Sequence, residues 1–392
     1  MEEGVGMDRV DVLIVGASQA GLYAAERLAQ QGLRVRVIDR RPDGVRPARR
    51  TLIVTPYLDE RLGVVPKRSV LYQVDRMAVV SPNRKTVFDF RRADWVLERA
   101  LWIEELTERA REAGAEVVLG NRFLGIEHED GKVRVVLQRD GTVERLRVDH
   151  LVGADGVFSR VARAAGLRRP PCVRIVQAEV RLPRGWDRGE ARVWLEPEVC
   201  RHFVWLVPED GRRGVLGVIE DLDRDPMAVV RTYVERLGVE VLGFQGAKVA
   251  MYHPRLRPWT RVQGLPVYLV GDAAGQVKVT TVGGTVTGLR GAQALVRSIV
   301  EGVPYDKAVQ DLDRELRIHW VIKRGLTRMD GRAYDRLVER VHGRVREVLE
   351  QYTRDEMASA FKEMLKGDLK FAAWALRYGF RHLFALGRVL WK

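Results

Sequence analysis

The chain has 392 residues, with 67 Lys and Arg against 53 Asp and Glu, a formal charge of +14. Apolar residues make up 46% and charged residues 31%. That globular balance excludes wholesale disorder and, at roughly 150 residues per domain, anticipates two or three domains. Two cysteines, Cys172 and Cys200, are too few for a disulfide framework or a zinc knuckle, so the reading is a reducing, cytoplasmic setting with no metal site. No run of eighteen uncharged apolar residues is present to form a spanning helix. The acidic start, Met1-Glu2-Glu3, does not read as a secretory signal. Arginines are interleaved with acids, as in Glu108-Arg109-Ala110-Arg111-Glu112, which favours a solvated mixed surface and no nucleic-acid partner.

In chain order, Val10 to Val15 is a short β-branched run broken by Gly16 to Gly21. Leu22 to Gln31 is helical in composition and closes at Gly32; Leu33 to Ile38 alternates as a strand and stops at Asp39. This is a βαβ unit of the expected size. Prolines at 42, 47, 56, 66 and 82 mark turns in a mixed stretch. Arg91 to Ala113 reads as one long helix ending at Gly114. Strands follow at 117–119, 123–127, 133–138 and 142–148, with Asp130-Gly131 and Asp140-Gly141 as hairpin turns. Strands and turns continue from about 173 to 251. Residues 262–295 return to strand, glycine loop and helix, and everything from about Tyr305 reads helical.

Three segments carry chemistry. In Gly16-Ala17-Ser18-Gln19-Ala20-Gly21, Gly16 permits a tight strand-to-helix turn and Gly21 lets the helix pack closely on the strand. The helix N-terminus then offers free N–H groups to a pyrophosphate, and Asp39, beside Arg40, stands where an acid bonds ribose hydroxyls. Ser18 occupies the usual middle glycine position, which narrows the phosphate approach. The second segment is Leu151-Val152-Gly153-Ala154-Asp155-Gly156 and the third is Leu269-Val270-Gly271-Asp272-Ala273-Ala274. Both run an apolar strand into a Gly/Asp turn.

Together the three segments resemble the FAD-binding motifs of glutathione-reductase-type flavoproteins, in the branch that holds aromatic hydroxylases and geranylgeranyl reductases. The resemblance places Gly16, Ser18 and Gly21 around the FAD pyrophosphate and Asp39 on the adenosine ribose. It places Asp155 in the Asp-Gly motif and Asp272 on the ribityl chain. Arg99-Ala100-Leu101-Trp102, with Leu106 and Ala113-Gly114-Ala115, is similar to the family's Arg-x-x-Phe-Asp helix, so Arg99 matches the arginine near FAD. Read alone, Arg99 is one of several arginines on a helix face. Gln276-Val277-Lys278 to Thr280-Thr281-Val282-Gly283-Gly284 is similar to the geranylgeranyl reductase group, whereas hydroxylases carry His and Pro where this chain has Gly275 and Val279. Gly283 and Gly284 open a loop through which backbone amides can approach the flavin, and Thr280 and Thr281 line it.

Cys200-Arg201-His202-Phe203-Val204-Trp205-Leu206-Val207-Pro208 resembles the reductases' Pro-x-x-Tyr-x-Trp-x-Phe-Pro pattern. Two apart on a strand, Phe203 and Trp205 share a face. That pair suits an isoprenoid chain, or else is plain core. His202 reads as structural or solvent-facing, and Cys200 as a buried small residue. In 369–392, Lys370, Arg377, Arg381, Arg388 and Lys392 form a narrow stripe on an otherwise aromatic and aliphatic helix. This fits an interfacial helix at an anionic membrane, or equally one clamped on the protein body.

The expected fold class is α/β: a discontinuous Rossmann-like FAD-binding domain (8–50, 91–170 and 262–300), an inserted mixed-sheet substrate domain (51–90 and 171–261) and a helical C-terminal region (301–392). The resemblance implies reduction of carbon–carbon double bonds in a prenyl chain on a membrane lipid precursor, at the inner membrane surface. It implies FAD and an external donor: NADPH, NADH or ferredoxin. The alternatives are a flavin monooxygenase of the aromatic-hydroxylase type, or a non-catalytic membrane- or nucleic-acid-binding protein.

Overall fold

Strand Arg9–Val15 is the pivot of the first sheet. Val12, Leu13 and Ile14 are fully buried, the two-sided burial a central parallel strand requires. The strand pairs in parallel with Val35–Asp39 on one side and Thr142–Gly153 on the other. Glu116–Leu119 extends the sheet beyond Val35–Asp39, and Leu265–Leu269 extends it in parallel beyond Thr142–Gly153. Trp259–Val262 closes that edge antiparallel, and the hairpin Asn121–Glu129/Lys132–Arg139 leans on the long strand Thr142–Gly153. In register, Val15 meets Ile38 and Gly153, and Gly153 meets Leu269. The strands therefore end together, and the turns that follow them open on one edge, where α/β sheets place their ligands. The computed structural model describes residues 9–43, 45–129 and 132–367; the segment 369–392 lies outside the described residues.

The second sheet also has eight strands, in the order Val241–Ala250, Cys172–Arg181, Arg213–Glu220, Val204–Pro208, Glu190–Trp194, Val70–Ser81, Arg84–Glu98 and Thr51–Val54. Its pairings are antiparallel except for Glu190–Trp194 on Val70–Ser81. One strand corrects the sequence reading. Residues 91–98 continue the strand Arg84–Glu98, and the helix starts only at Arg99, running to Glu112. Trp95, Val96 and Leu97 are buried between two neighbouring strands. The Glu98 carboxylate then caps the helix, accepting from the Ala100 and Leu101 amides at 2.9 Å each. Tertiary pairing overrides the helical propensity of the arginine-rich stretch.

Helix Pro226–Leu237, within the region read as strands and turns, covers one face of this sheet. Asp225 caps it through the Met227 amide, proline opens it and Gly238 closes it at φ 60°. The C-terminal layer comprises Tyr305–Ala308, Gln310–Leu326, Gly331–Glu339, Gly343–Gln351 and Met357–Gly367. Its own core of Ile318, Val321, Tyr334, Val345, Val348 and Phe361 holds most of these helices together. No helix among the described residues is long and apolar enough to cross a membrane.

Candidate active site

The first turn is built by close approach. Gly16 has φ 109°, and a Cβ there would lie 2.5 Å from the Ala154 carbonyl oxygen and 2.9 Å from Asp155 Cα. A Cβ on Gly21 would lie 2.4 Å from the Gly16 carbonyl oxygen. Only glycine fits either position. Ser18 has a local role: its hydroxyl accepts from the Gly21 amide at 3.3 Å and caps the helix Gln19–Ala29. The Gln19 side chain turns away to accept from Trp102 Nε1 at 2.9 Å. Asp39 accepts from the Ala17 amide at 2.9 Å and from the Arg41 amide at 2.8 Å. A carboxylate offers about four acceptor sites, so Asp39 keeps capacity for hydroxyl donors. Arg40 beside it is exposed.

The other two turns meet the first. Gly271, at φ 62°, passes so near Ala20 that a Cβ on it would sit 3.2 Å from the Ala20 methyl. Asp272 is half-buried and its oxygen is 3.4 Å from the Ala250 amide. Burial pushes its carboxyl upward against the pull of Arg50 and Arg99. Asp155 behaves differently. One oxygen accepts from the Ser159 hydroxyl and the other from the Arg160 and Val161 amides, so its charge is spent on the helix Arg160–Ala164. What this turn leaves open is backbone at Gly156, φ 80°.

Arg41 and Arg50, which the sequence reading passed over, complete the crevice beside the expected Arg99. Arg50 and Arg99 both lie in the field of Asp272, and Arg41 in that of Arg99. Arg99 gives one hydrogen to the Ala48 carbonyl at 3.3 Å. Burial first, then Arg50, lowers its guanidinium to about 10. Buried Nε atoms of Arg41 and Arg99 have no hydrogen-bond partner. Orphaned cationic donors beside a glycine turn and a helix N-terminus fit a pyrophosphate.

The loop after Asp272 is held from two sides. Gln276 accepts from the Gly271 amide at 2.7 Å and packs where a Cβ on Gly291 would stand. The Thr287 hydroxyl donates to the Gln276 carbonyl at 2.6 Å. Lys278 N bonds the Gly283 carbonyl at 3.2 Å, closing the loop on itself. Between them Val282 adopts φ 50°, a left-handed conformation that costs a β-branched residue of order 1–3 kcal/mol. A Cβ on Gly284 would lie 3.3 Å from Asp272 Oδ1, so the acid and the glycine pair face one space. Thr281 Oγ1 is buried without a partner.

The C-terminal layer grips this loop, which no sequence motif announced. Thr280 Oγ1 and His319 Nδ1 are 2.5 Å apart, and His319 is fully buried. His319 Nε2 lies 3.3 Å from Glu315, whose carboxylate also accepts from the Met357 and Ala358 amides. Lys278 pairs with buried Asp355, which also accepts from Thr55 at 2.7 Å. Burial alone would raise the Asp355 carboxyl; Lys278 and Thr55 hold it below its usual range.

Phe203 and Trp205 pack ring to ring with centroids 5.5 Å apart. Both pack against a buried cluster that includes Val277 and Val282 of the loop together with Val173, Ile219 and Val249. Trp205 faces Gly217 across the strands, and a Cβ on Gly217 would fall 2.0 Å from the indole. Cys200 is buried, donates to the Ile219 carbonyl at 3.3 Å and has its thiol pushed up to about 12 by burial, which makes it unreactive. His202 is 7% exposed, bonds Asp221 at 3.1 Å, and burial lowers it to about 4.

Residues 9–181 match the family model described as FAD binding domain. This fold and crevice define an FAD-dependent oxidoreductase. The chain is 28% identical over 314 residues to the digeranylgeranylglycerophospholipid reductase of Methanothrix thermoacetophila, covering 75% of this chain and 78% of that one. A solved structure of a geranylgeranyl bacteriochlorophyll reductase-like protein from Thermoplasma acidophilum superposes with a TM-score of 0.75, at 21% identity, over 95% of this chain and 100% of that chain. The p-nitrophenol 4-monooxygenase of Pseudomonas putida shares the fold at a TM-score of 0.62 and 18% identity, over 98% and 99% of the two chains. In sequence the chain is thus similar to digeranylgeranylglycerophospholipid reductases, and in fold to a geranylgeranyl reductase-like protein.

Proposed function

We propose that this protein saturates carbon–carbon double bonds of a prenyl chain, with FAD held across the three turns. The observation that carries this reading is the apolar cluster, with Val277 and Val282 of the loop among its members, against which Phe203 and Trp205 pack. The residues assigned to FAD are thereby brought next to an aromatic wall suited to an isoprenoid. The family's reductases support the same reading by name. The substrate class we favour is a membrane lipid precursor, met at an anionic bilayer surface.

Gly16, the amides opening the helix Gln19–Ala29, Arg41 and Arg99 would hold the pyrophosphate. Asp39 would take the adenosine ribose, Asp272 the ribityl hydroxyls, and Gly283 and Gly284 the flavin edge. FAD bound there would supply hydride chemistry for one alkene carbon, its electrons coming from an external donor of the NADPH, NADH or ferredoxin class. The chain's residues orient and desolvate. Phe203 and Trp205 fix the chain's flat alkene segments against the loop, since an isolated alkene is a poor hydride acceptor and must be placed closely with water excluded. The second alkene carbon needs a proton. Thr280 is the loop hydroxyl with a buried imidazole behind it, His319 holding its oxygen and Glu315 facing the far ring nitrogen.

The test is incubation under nitrogen with an unsaturated prenyl lipid and each donor class in turn, followed by mass spectrometry. A gain of two mass units per double bond is expected. Product formed only in air, with one oxygen atom added, overturns the proposal in favour of a monooxygenase.

A further inference from the structure

A cavity of about 270 Å³ lies where the turn before strand Val204–Pro208 meets helix Gln310–Leu326 and the helix after it. Its polar wall is Arg201, His202, Asp221 and Lys323, and its apolar wall includes Met329 and Tyr334. The charges do not cancel evenly. Arg201 is engaged by Asp221 and Asp223. His202 also bonds Asp221. Glu220 accepts from the Arg201 amide and faces Arg224. The Lys323 side chain alone among these groups makes no hydrogen bond or close ion pair with the described residues, lying only in the longer-range field of Asp221 and Glu220. His202 Nδ1 is buried and unpartnered too, but with the ring neutral and Nε2 donating to Asp221 it is an acceptor, which leaves Lys323 as the cation of this wall.

The cavity also has a defined relation to the site. Lys323 follows His319 by one helical turn, about 6 Å along the axis, on the same helix face. His319 is the residue that touches Thr280 in the loop. His202 directly precedes Phe203 in the chain.

We propose that this cavity holds the phosphate-bearing head of the prenyl substrate, with Lys323 as its anion partner and Phe203 and Trp205 receiving the chain that leads from it. The inference rests on the prenyl-reductase reading and adds to it a head-group site. The shared chemistry is a phosphate ester, whether of a glycerophospholipid or of a prenyl diphosphate. Lys323 faces Glu220 and Asp221 from the strand end, Cys200, Arg201 and His202 from the turn, and Tyr334 from the next helix. Burial, partly offset by Asp221, lowers its ammonium to about 8. A bound phosphate would give Lys323 the direct partner that Asp221 and Glu220 do not supply, so head-group affinity falls as pH rises through about 8.

The experiment uses the holoenzyme, with Lys323→Met and the charge-retaining Lys323→Arg. Pulse acetylation read by mass spectrometry measures Lys323 reactivity with and without inorganic pyrophosphate; protection is expected. Steady-state kinetics compare geranylgeranyl diphosphate, a digeranylgeranylglyceryl phosphate and geranylgeraniol. Lys323→Met should raise KM for phosphorylated substrates roughly ten-fold or more, leave kcat within about two-fold and leave the alcohol unchanged. Lys323→Arg should restore most of the loss. An effect on only one phosphorylated substrate identifies the head the site accepts. Equal losses for the alcohol, or no protection by pyrophosphate, overturn the proposal. Protection by pyrophosphate in a protein that reduces no prenyl compound refutes the reductase reading and the head-group assignment, while leaving an anion site at Lys323.

Discussion

Gly217→Ala isolates the aromatic wall from the cofactor crevice. The added methyl would lie 2.0 Å from Trp205 Cε2 and Cζ2 and 2.6 Å from its Nε1, so the indole must leave its place. Gly217 belongs to the second sheet, and its substitution alters none of the turns at Gly16, Asp155 or Asp272. Overpacking of this kind costs about 1–3 kcal/mol, which a domain of ordinary stability survives. Displacing the ring by an ångström or more at a positioning surface lowers turnover by about 10²-fold. The assay pairs the visible flavin spectrum of the purified variant with anaerobic prenyl-lipid turnover. Flavin content should match the unsubstituted protein while turnover falls about a hundredfold. Full turnover with the indole displaced would refute the role given to Trp205. Loss of flavin would refute the claim that wall and cofactor crevice are separable.

Asp39→Ala removes the acceptor of the Ala17 and Arg41 amides and should release FAD on gel filtration, measured as a fall in bound-flavin absorbance. Ser18→Ala deletes a helix cap and should cost about 1 kcal/mol in denaturant unfolding, with flavin affinity weakened less than in Asp39→Ala. Asp355→Asn strands Lys278 among buried groups and should cost about 3–5 kcal/mol, seen as a lowered Tm. His202 is neutral when folded, at about 4, and takes up a proton more readily when unfolded, near 6.5. Its contribution to stability is therefore complete above about pH 6.5 and is lost as pH falls toward 4, by up to about 3 kcal/mol. Denaturation midpoints for His202→Gln should lack that part of the acid slope.

The crevice was legible because its constraints are local. Gly16 and Gly271 need positive φ, which writes a glycine at the end of an apolar run, and Gly21 needs the absence of a Cβ where the following helix packs on that turn. Element boundaries were less so. The strand through 91–98 owes its form to two partners distant in sequence, which outweigh the local preference of Arg91-Arg92-Ala93. Helix Pro226–Leu237 did carry a readable signal, Asp225-Pro226 at its start and Gly238 after its end. Grips on the flavin loop were not legible at all: Asp355 reaches Thr55 and Lys278, and His319 reaches Thr280, from helices whose sequence shows only amphipathic periodicity. Arg41 and Arg50 hid in an arginine-rich stretch, where only tertiary structure separates the cations left unanswered from those paired with acids.

The central claim, that a flavin held by the three turns passes its electrons to an alkene lying against Phe203 and Trp205, is tested most directly by a single turnover. The protein is reduced with dithionite under nitrogen, excess reductant is removed, and a geranylgeranyl lipid is added. Return of the oxidised-flavin spectrum in step with one saturated double bond per flavin is the predicted result. A flavin that stays reduced until oxygen is admitted would contradict it.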